Sequence, residues 1–211
     1  GAVNPSGKLP ASFEEREEDR GAFDCYFDPD QSGRIELSDG IFSGYRHFDR
    51  AGIAPRYPFG YGLSYTSFSY GPLAIDRTAI PAEGGSVTVS VPVTNTGERV
   101  GEEVVQLYMR DPIATVSRPV KQLRGFRRVA IAPGETRIVR FTLSAEQFAL
   151  WGREGGWVVE PGKIELMAGS ASDAIHARGE LTILGRARGS RSPASILTPT
   201  SDARPGLRES R

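Results

Sequence analysis

The chain has 211 residues, with 26 basic and 26 acidic side chains and a formal net charge of zero. Balanced charge excludes a protein held to nucleic acid or anionic lipid by bulk electrostatics, and no apolar run approaches the roughly 18 residues of a membrane-spanning helix. The one cysteine, Cys25, excludes an intrachain disulfide framework and a multi-cysteine metal site.

The opening residues contain no initiator Met, no charged leader and no apolar signal core, and residues 1–10 read as the inside of a larger domain. The expectation is a piece of a longer chain. Residues 1–70 hold 7 basic and 11 acidic side chains and many aromatics between Gly and Pro, with little periodicity. Such a segment reads as irregular and loop-rich, with rings that must pack on something larger. Residues 14–20 have no apolar face and read as solvated. Asp28, Asp30, Ser32, Gly33, Ile35 and Asp39 stand at positions 1, 3, 5, 6, 8 and 12 of a calcium loop. Position 12 lacks the longer Glu and the flanks are poor helices, so a polar hairpin with Gly33 at its tip fits at least as well.

From about residue 72 the texture changes. Residues 86–95 alternate apolar and polar side chains, the period of a half-buried strand, and Asn95-Thr-Gly97 supplies a turn. Further strands are predicted at 102–110, 126–131, 136–143, 156–159, 163–168 and 174–184, separated by Pro-Gly turns at 133–134 and 161–162. On the strand 102–110, Val105, Leu107 and Met109 share one face, and Val104, Gln106, Tyr108 and Arg110 the other. About seven short strands without a helical period describe a mainly β chain: an antiparallel sandwich of immunoglobulin or fibronectin type III kind over 72–184, preceded by an irregular segment. Residues 185–211 carry six arginines against two acids with much Pro and Ser, and are expected to be a disordered tail.

Chemistry is sparse. His47 lies among aromatics beside Asp49 and reads first as a packed, hydrogen-bonded residue, while His176 starts a strand and is expected to be exposed. There is no Gly-x-Ser-x-Gly elbow, and nothing at Cys25 suggests a lowered pKa, so a serine or cysteine nucleophile has no support. Residues 1–8 fail the phosphate-loop pattern, because Leu9 stands where Ser or Thr would hold magnesium. Sugar hydrolysis needs two carboxyl groups across the scissile bond. Asp24, Asp28, Asp30, Glu36, Asp39 and Asp49 are available by composition, whereas the neighbours Glu102 and Glu103 point to opposite faces of a strand. Trp151 and Trp157 are the obvious stacking groups for a carbohydrate-binding module, with core packing as the competing role of Trp157.

Several motifs in fixed order resemble a known family. Asn4-Pro-Ser-Gly-Lys-Leu-Pro10, Gly40-Ile-Phe-Ser-Gly-Tyr-Arg-His-Phe-Asp49 and Tyr57-Pro-Phe-Gly-Tyr-Gly-Leu-Ser-Tyr-Thr66 resemble the C-terminal part of family 3 glycoside hydrolases, the bacterial β-glucosidases. Val93-Thr-Asn-Thr-Gly97, Gly101-Glu-Glu-Val-Val-Gln-Leu-Tyr108, Ser117-Arg-Pro-Val-Lys-Gln-Leu-Arg-Gly-Phe126 and Ala132-Pro-Gly-Glu135 resemble the fibronectin type III-like domain that closes many of them. The resemblance covers residues 1–184. It implies that 1–71 are the end of an α/β sandwich domain with its linker, and that the family's catalytic Asp and general-acid Glu stand upstream of Gly1. No position here matches either motif, so no catalytic, cofactor-binding or metal residue is carried over and no cofactor is implied. The implied partners are the catalytic domains of the parent enzyme, which alone would meet the β-glucoside, with self-association through the aromatics of 1–70 as an alternative. A truncated but active hydrolase using acids within 24–49 is the competing reading. The resemblance leaves compartment and sugar specificity open.

Overall fold

The computed structural model describes residues 2–23, 28, 32–35, 37–190 and 198–205. Cys25, Asp24, Asp30 and Glu36 therefore lie outside the described residues. Among the described residues thirteen strands are numbered in chain order. One sheet runs in the order β1 (Phe68–Tyr70), β4 (Ser86–Asn95), β7 (Thr136–Ser144), β13 (Thr200–Ala203), with β2 (Ala74–Ile75) also paired to β4. The facing sheet runs β3 (Ala79–Pro81), β11 (Ile175–Leu184), β10 (Gly162–Gly169), β5 (Gly101–Arg110), β6 (Gln122–Ile131). A small third sheet joins β12 (Arg188–Ser190), β9 (Trp157–Val159) and β8 (Leu150–Trp151). Ahead of the sandwich, among the described residues, stands the short α-helix α1 (Tyr45–Ala51).

The period-2 pattern explains the core. Val87, Val89, Val91 and Val93 of β4 face Val105, Leu107 and Met109 of β5, all essentially inaccessible to water, and Phe141, Leu166 and Leu181 fill the space between. Burying each such side chain stabilises the fold by roughly 1.5–3 kcal/mol. Pro92 sits inside β4 without breaking it. Its carbonyl accepts the Gly71 N–H at 2.8 Å, so its nitrogen faces the same way, into the break between β1 and β2, where the ladder needs no donor.

Two expectations change. Pairing is antiparallel except for β3, which runs parallel to β11. The sandwich also begins ahead of residue 72, because Phe68, Ser69 and Tyr70 pair with Asn95, Thr94 and Val93. The Asn95-Thr-Gly97 turn is built around a buried amide. Asn95 Nδ2 donates to the carbonyls of Arg99 and Ile131 at 2.7 and 2.9 Å, and Oδ1 accepts from Thr66 Oγ1 and the Gly97 N–H at 2.6 and 3.0 Å. Both N–H donors and both oxygen lone pairs of the carboxamide are thereby used.

The tail is the larger correction. Residues 188–190 and 200–203, expected to be disordered, are strands on β9 and β7. Composition misleads because the order comes from a few specific contacts rather than from apolar bulk. Thr198 is buried against Gly125, where a Cβ would stand 3.0 Å from the Thr198 Cβ, and it accepts from Gln147 Nε2 at 2.9 Å. Asp202 accepts from Arg127 Nη2 at 2.8 Å and is paired with Arg137. Burial pushes the Asp202 carboxyl up, but hydrogen bonds and charge from Arg137 and Arg127 outweigh it and hold the group below the usual carboxylate range. A lowered folded pKa contributes stability above the unfolded value of about 4 and loses it as pH falls through the folded value. Urea midpoints measured from neutral pH down through the carboxylate range should therefore fall more steeply in the wild type than in Asp202→Asn; parallel profiles would remove this ion pair from the account of the tail.

Candidate functional site

The outer face of β5 carries the polar and aromatic residues Gln106 and Tyr108, yet they are only 3% and 0% exposed. Residues 8–13 and 57–61 lie over them as an irregular ribbon, joined by Leu9 N–H to Tyr61 O, Gly60 N–H to Leu9 O and Phe13 N–H to Tyr57 O, each at 2.8 Å. Gln106 Nε2 donates to the carbonyls of Gly60 and Ser170 at 3.1 and 2.6 Å, and its Oε1 accepts from the Tyr108 hydroxyl at 2.5 Å. The buried amide is thus satisfied at each of its donors, the condition for burying it cheaply. Gly60 has φ of 81°, and a Cβ there would run into the Gln106 carboxamide.

Aromatic stacking extends the seam. Tyr45 of α1 stacks on Phe59 at 4.8 Å, meets Tyr108 edge-on at 6.3 Å, and accepts the Leu123 N–H at 3.0 Å. Phe48 is buried, and Phe68 and Tyr70 pack against the sandwich core. The expectation that these rings need a body beyond this chain is therefore corrected for the set just named, whereas Phe13, Tyr57 and Tyr65 stay exposed. At the end of β5 the Lys8 ammonium meets the buried Glu103 at 3.0 Å, and Glu103 also accepts from the Tyr70 hydroxyl at 3.2 Å. Burial, with the Glu103 charge added, holds the Tyr70 phenol well above its usual range, and burial does the same to Tyr108.

The acids named from sequence do not converge. Asp28 accepts the backbone N–H groups of Ser32 and Gly33 at 3.0 and 2.7 Å, closing its own turn. Asp39 Oδ1 lies with the His47 ring over Gly21. Asp49 is paired with Lys121 of the sandwich; burial raises its pKa in spite of that cation, and its Oδ2 has no hydrogen-bond partner. His47 Nε2 stands 3.1 Å from the Asp19 carbonyl, a packed role. Asp19 itself is buried, so residues 14–20 are less solvated than their composition suggests. His176 is exposed as expected and stacks on Tyr70 at 4.5 Å. Glu102 pairs with Arg128 and Ser6, apart from Glu103.

Three of the hollows among the described residues bear on a candidate site. One of about 390 Å³ lies between Lys8, Phe59, Gly60, Gln106 and Phe126. A second of about 250 Å³ lies along residues 110–120 and contains Asp111. The third, of about 610 Å³, is lined by Arg46, Arg118, Arg124, Trp151 and Trp157 among others. None of these three linings contains two carboxyl groups. Among the described residues no cluster of His, Cys, Asp and Glu is placed to hold a metal. Sequence reasoning missed Gln106, Tyr108, Gly60, Arg118 and Arg124. The signal present for the first two was a polar face too aromatic to be left to solvent.

Comparison with known proteins bears on the whole chain. Residues 103–172 match the fibronectin type III-like domain. The thermostable beta-glucosidase B of Acetivibrio thermocellus is 39% identical over 176 residues, which is 83% of this chain and 23% of that protein. The beta-glucosidase of Kluyveromyces marxianus, solved in complex with glucose, superposes with a TM-score of 0.80 at 34% identity over 90% of this chain and 22% of its own. The GH3 beta-glucosidase of Bifidobacterium adolescentis gives 0.77 at 33% identity over 86% of this chain and 27% of its own. The chain therefore spans about a quarter of the length of these relatives, and they include a yeast protein as well as bacterial ones.

The seam generates two expectations. Gly60→Ala should destabilise the chain by about 2 kcal/mol or more, through the positive φ and displacement of Gln106. Amide exchange should show faster opening of residues 8–13 and 57–61 than of β4, and unchanged exchange at the ribbon would contradict the clash. In a spectrophotometric titration, Tyr70 and Tyr108 should stay protonated above the usual tyrosine range while the fold persists and ionise only on alkaline unfolding; loss of both protons from the folded chain near about pH 10 would contradict their burial.

Proposed function

The chain belongs to the family 3 glycoside hydrolases, as the C-terminal part that carries the fibronectin type III-like domain, and we propose that it is the noncatalytic supporting portion of a β-glucosidase-type enzyme. In this reading the residues ahead of β1 are the end of the family's α/β sandwich domain and its linker, and β1 already belongs to the fibronectin type III-like sandwich. The parent would hydrolyse terminal β-D-glucosyl residues, with its reacting groups in the three quarters of the relatives that this chain does not span.

The observation that carries the proposal is the way the acids are used. Glycoside hydrolysis needs one carboxyl group as general acid and another as nucleophile or base, about 5–10 Å apart around an open sugar site. Asp28 closes a turn, Asp49 holds Lys121, and Glu103 holds Lys8 and Tyr70. Asp49 and Glu103 thus tie the segment ahead of β1 to the sandwich, Asp28 is used within its own turn, and none of the three lines a hollow named above. The segment before β1 is meanwhile fixed to a rigid β body through Gln106 and Tyr45. That arrangement suits a platform presenting Phe13, Tyr57, Leu63 and Tyr65, all exposed, to the catalytic part of the enzyme. Self-association through the same patch is the reading that applies to the isolated chain.

The purified 211-residue chain should show no turnover of an aryl β-glucoside above a matched mock purification. Turnover that co-elutes with the 22.9 kDa species and disappears on substitution of Asp28, Asp39 or Asp49 would replace the supporting role with a catalytic one.

A further inference from the structure

The hollow of about 610 Å³ serves none of the contacts described above, and its size falls in the range of small-ligand sites. A break in the ladder puts charge into it. Between β5 and β6 the register steps from Leu107 opposite Gly125 to Tyr108 opposite Leu123, which leaves Arg124 as the extra residue of a bulge. A bulge re-aims the side chain it carries. Gln122 Oε1 then accepts from Arg124 Nη2 at 2.7 Å and from Arg118 Nη2 at 3.2 Å, so two guanidinium groups are held side by side by a neutral acceptor. Arg46 adds a third to the same lining, which contains no carboxylate.

The positive charge is only partly answered. Arg124 Nε is buried with no hydrogen-bond partner. Burial, with the Arg118 charge next, lowers the Arg124 pKa to about 10. Asp111 and Glu160 act on Arg118 from outside the lining, and burial still lowers its pKa. At the mouth stand both tryptophans of the chain, edge to face at 5.5 Å, with Trp151 58% exposed. Paired guanidiniums fit a planar carboxylate, and an exposed indole face fits the C–H face of a pyranose ring.

We propose that this hollow is a noncatalytic binding site for a carboxylate-bearing saccharide, its uronate group taken by Arg118 and Arg124 and its ring laid on Trp151. The anionic character rests on the arginines alone, whereas the choice of a saccharide rests on the glycoside-hydrolase reading above. Since Trp151 and Trp157 are the two tryptophans of the chain, tryptophan emission excited beyond the tyrosine absorption band reports on this hollow.

The test is a fluorescence titration of the 211-residue chain with cellobiouronic acid, and with cellobiose as its neutral counterpart. A saturable change is expected with the uronate, with cellobiose at least about tenfold weaker, the scale of a lost charged hydrogen bond. Arg124→Met and Arg118→Gln should each weaken the uronate by a similar factor while the near-ultraviolet circular dichroism is unchanged. If Arg124→Met does not fold, Arg118→Gln carries the comparison. No saturable change, equal binding of cellobiose, full competition by acetate at the uronate's own concentration, or undiminished binding by the folded variants would each overturn the proposal. Failure here leaves the supporting role standing, and turnover in the aryl-glucoside assay would leave this binding result unaffected.

Discussion

Everything ahead of β1 depends on one constraint: a central strand of the sandwich carries a glutamine and a tyrosine on the face that should meet water, and both must be covered without losing their hydrogen bonds. Gln106 meets the constraint by giving its amide to two backbone carbonyls and taking the Tyr108 hydroxyl. One of those carbonyls belongs to Gly60, so the irregular segment is registered on the sheet by a polar contact whose geometry tolerates little displacement. An apolar pair at these positions would bury as much surface but would fix no register. The stacking of Tyr45 between Phe59 and Tyr108 then follows from where Gly60 is held.

The same economy of polar groups distinguishes support from catalysis. A group poised for reaction is left with a free oxygen or nitrogen facing a cavity. Here the carboxylates of the first fifty described positions and of β5 are mostly spent on cations, turns and hydroxyls. In the hollow of about 610 Å³ the charged side chains of the lining are all arginines, and Arg124 Nε there has no hydrogen-bond partner. That asymmetry separates the supporting role from the proposed saccharide site: one follows from occupied anions, the other from unoccupied cations.

Much of the sandwich was legible because its signal is local. The valines of β4 alternate without error, and residues 86–95 are a strand over that whole span. The family motifs were equally legible, since they are strings of adjacent residues. What could not be read was whatever depends on a distant partner. Nothing near Gln106 announces that residue 60 will cover it, and nothing in the arginine-rich tail announces that Asp202 will meet Arg127 and Arg137. Composition averaged over 185–211 predicted disorder, because averages dilute the few residues that make contacts. The bulge at Arg124 was hidden for a related reason: only Gln122 and Leu123 of β6 precede it, too few residues to show the change of phase that an extra residue makes in the alternation.

The short strand β13 has a consequence for how the molecule behaves in company. Without it the nine residues of β7 would end the sheet, offering a long row of unpaired amides and carbonyls as a template for another chain. With it, Ile138–Phe141 in the middle of β7 are paired, and the outermost row there is the four residues Thr200–Ala203, whose Asp202 is held by Arg127 and Arg137. A brief, charged rim is a poor surface for edge-to-edge polymerisation. The tail thus acts as a selvedge: it finishes the sheet so that copies of the protein can be concentrated without weaving together.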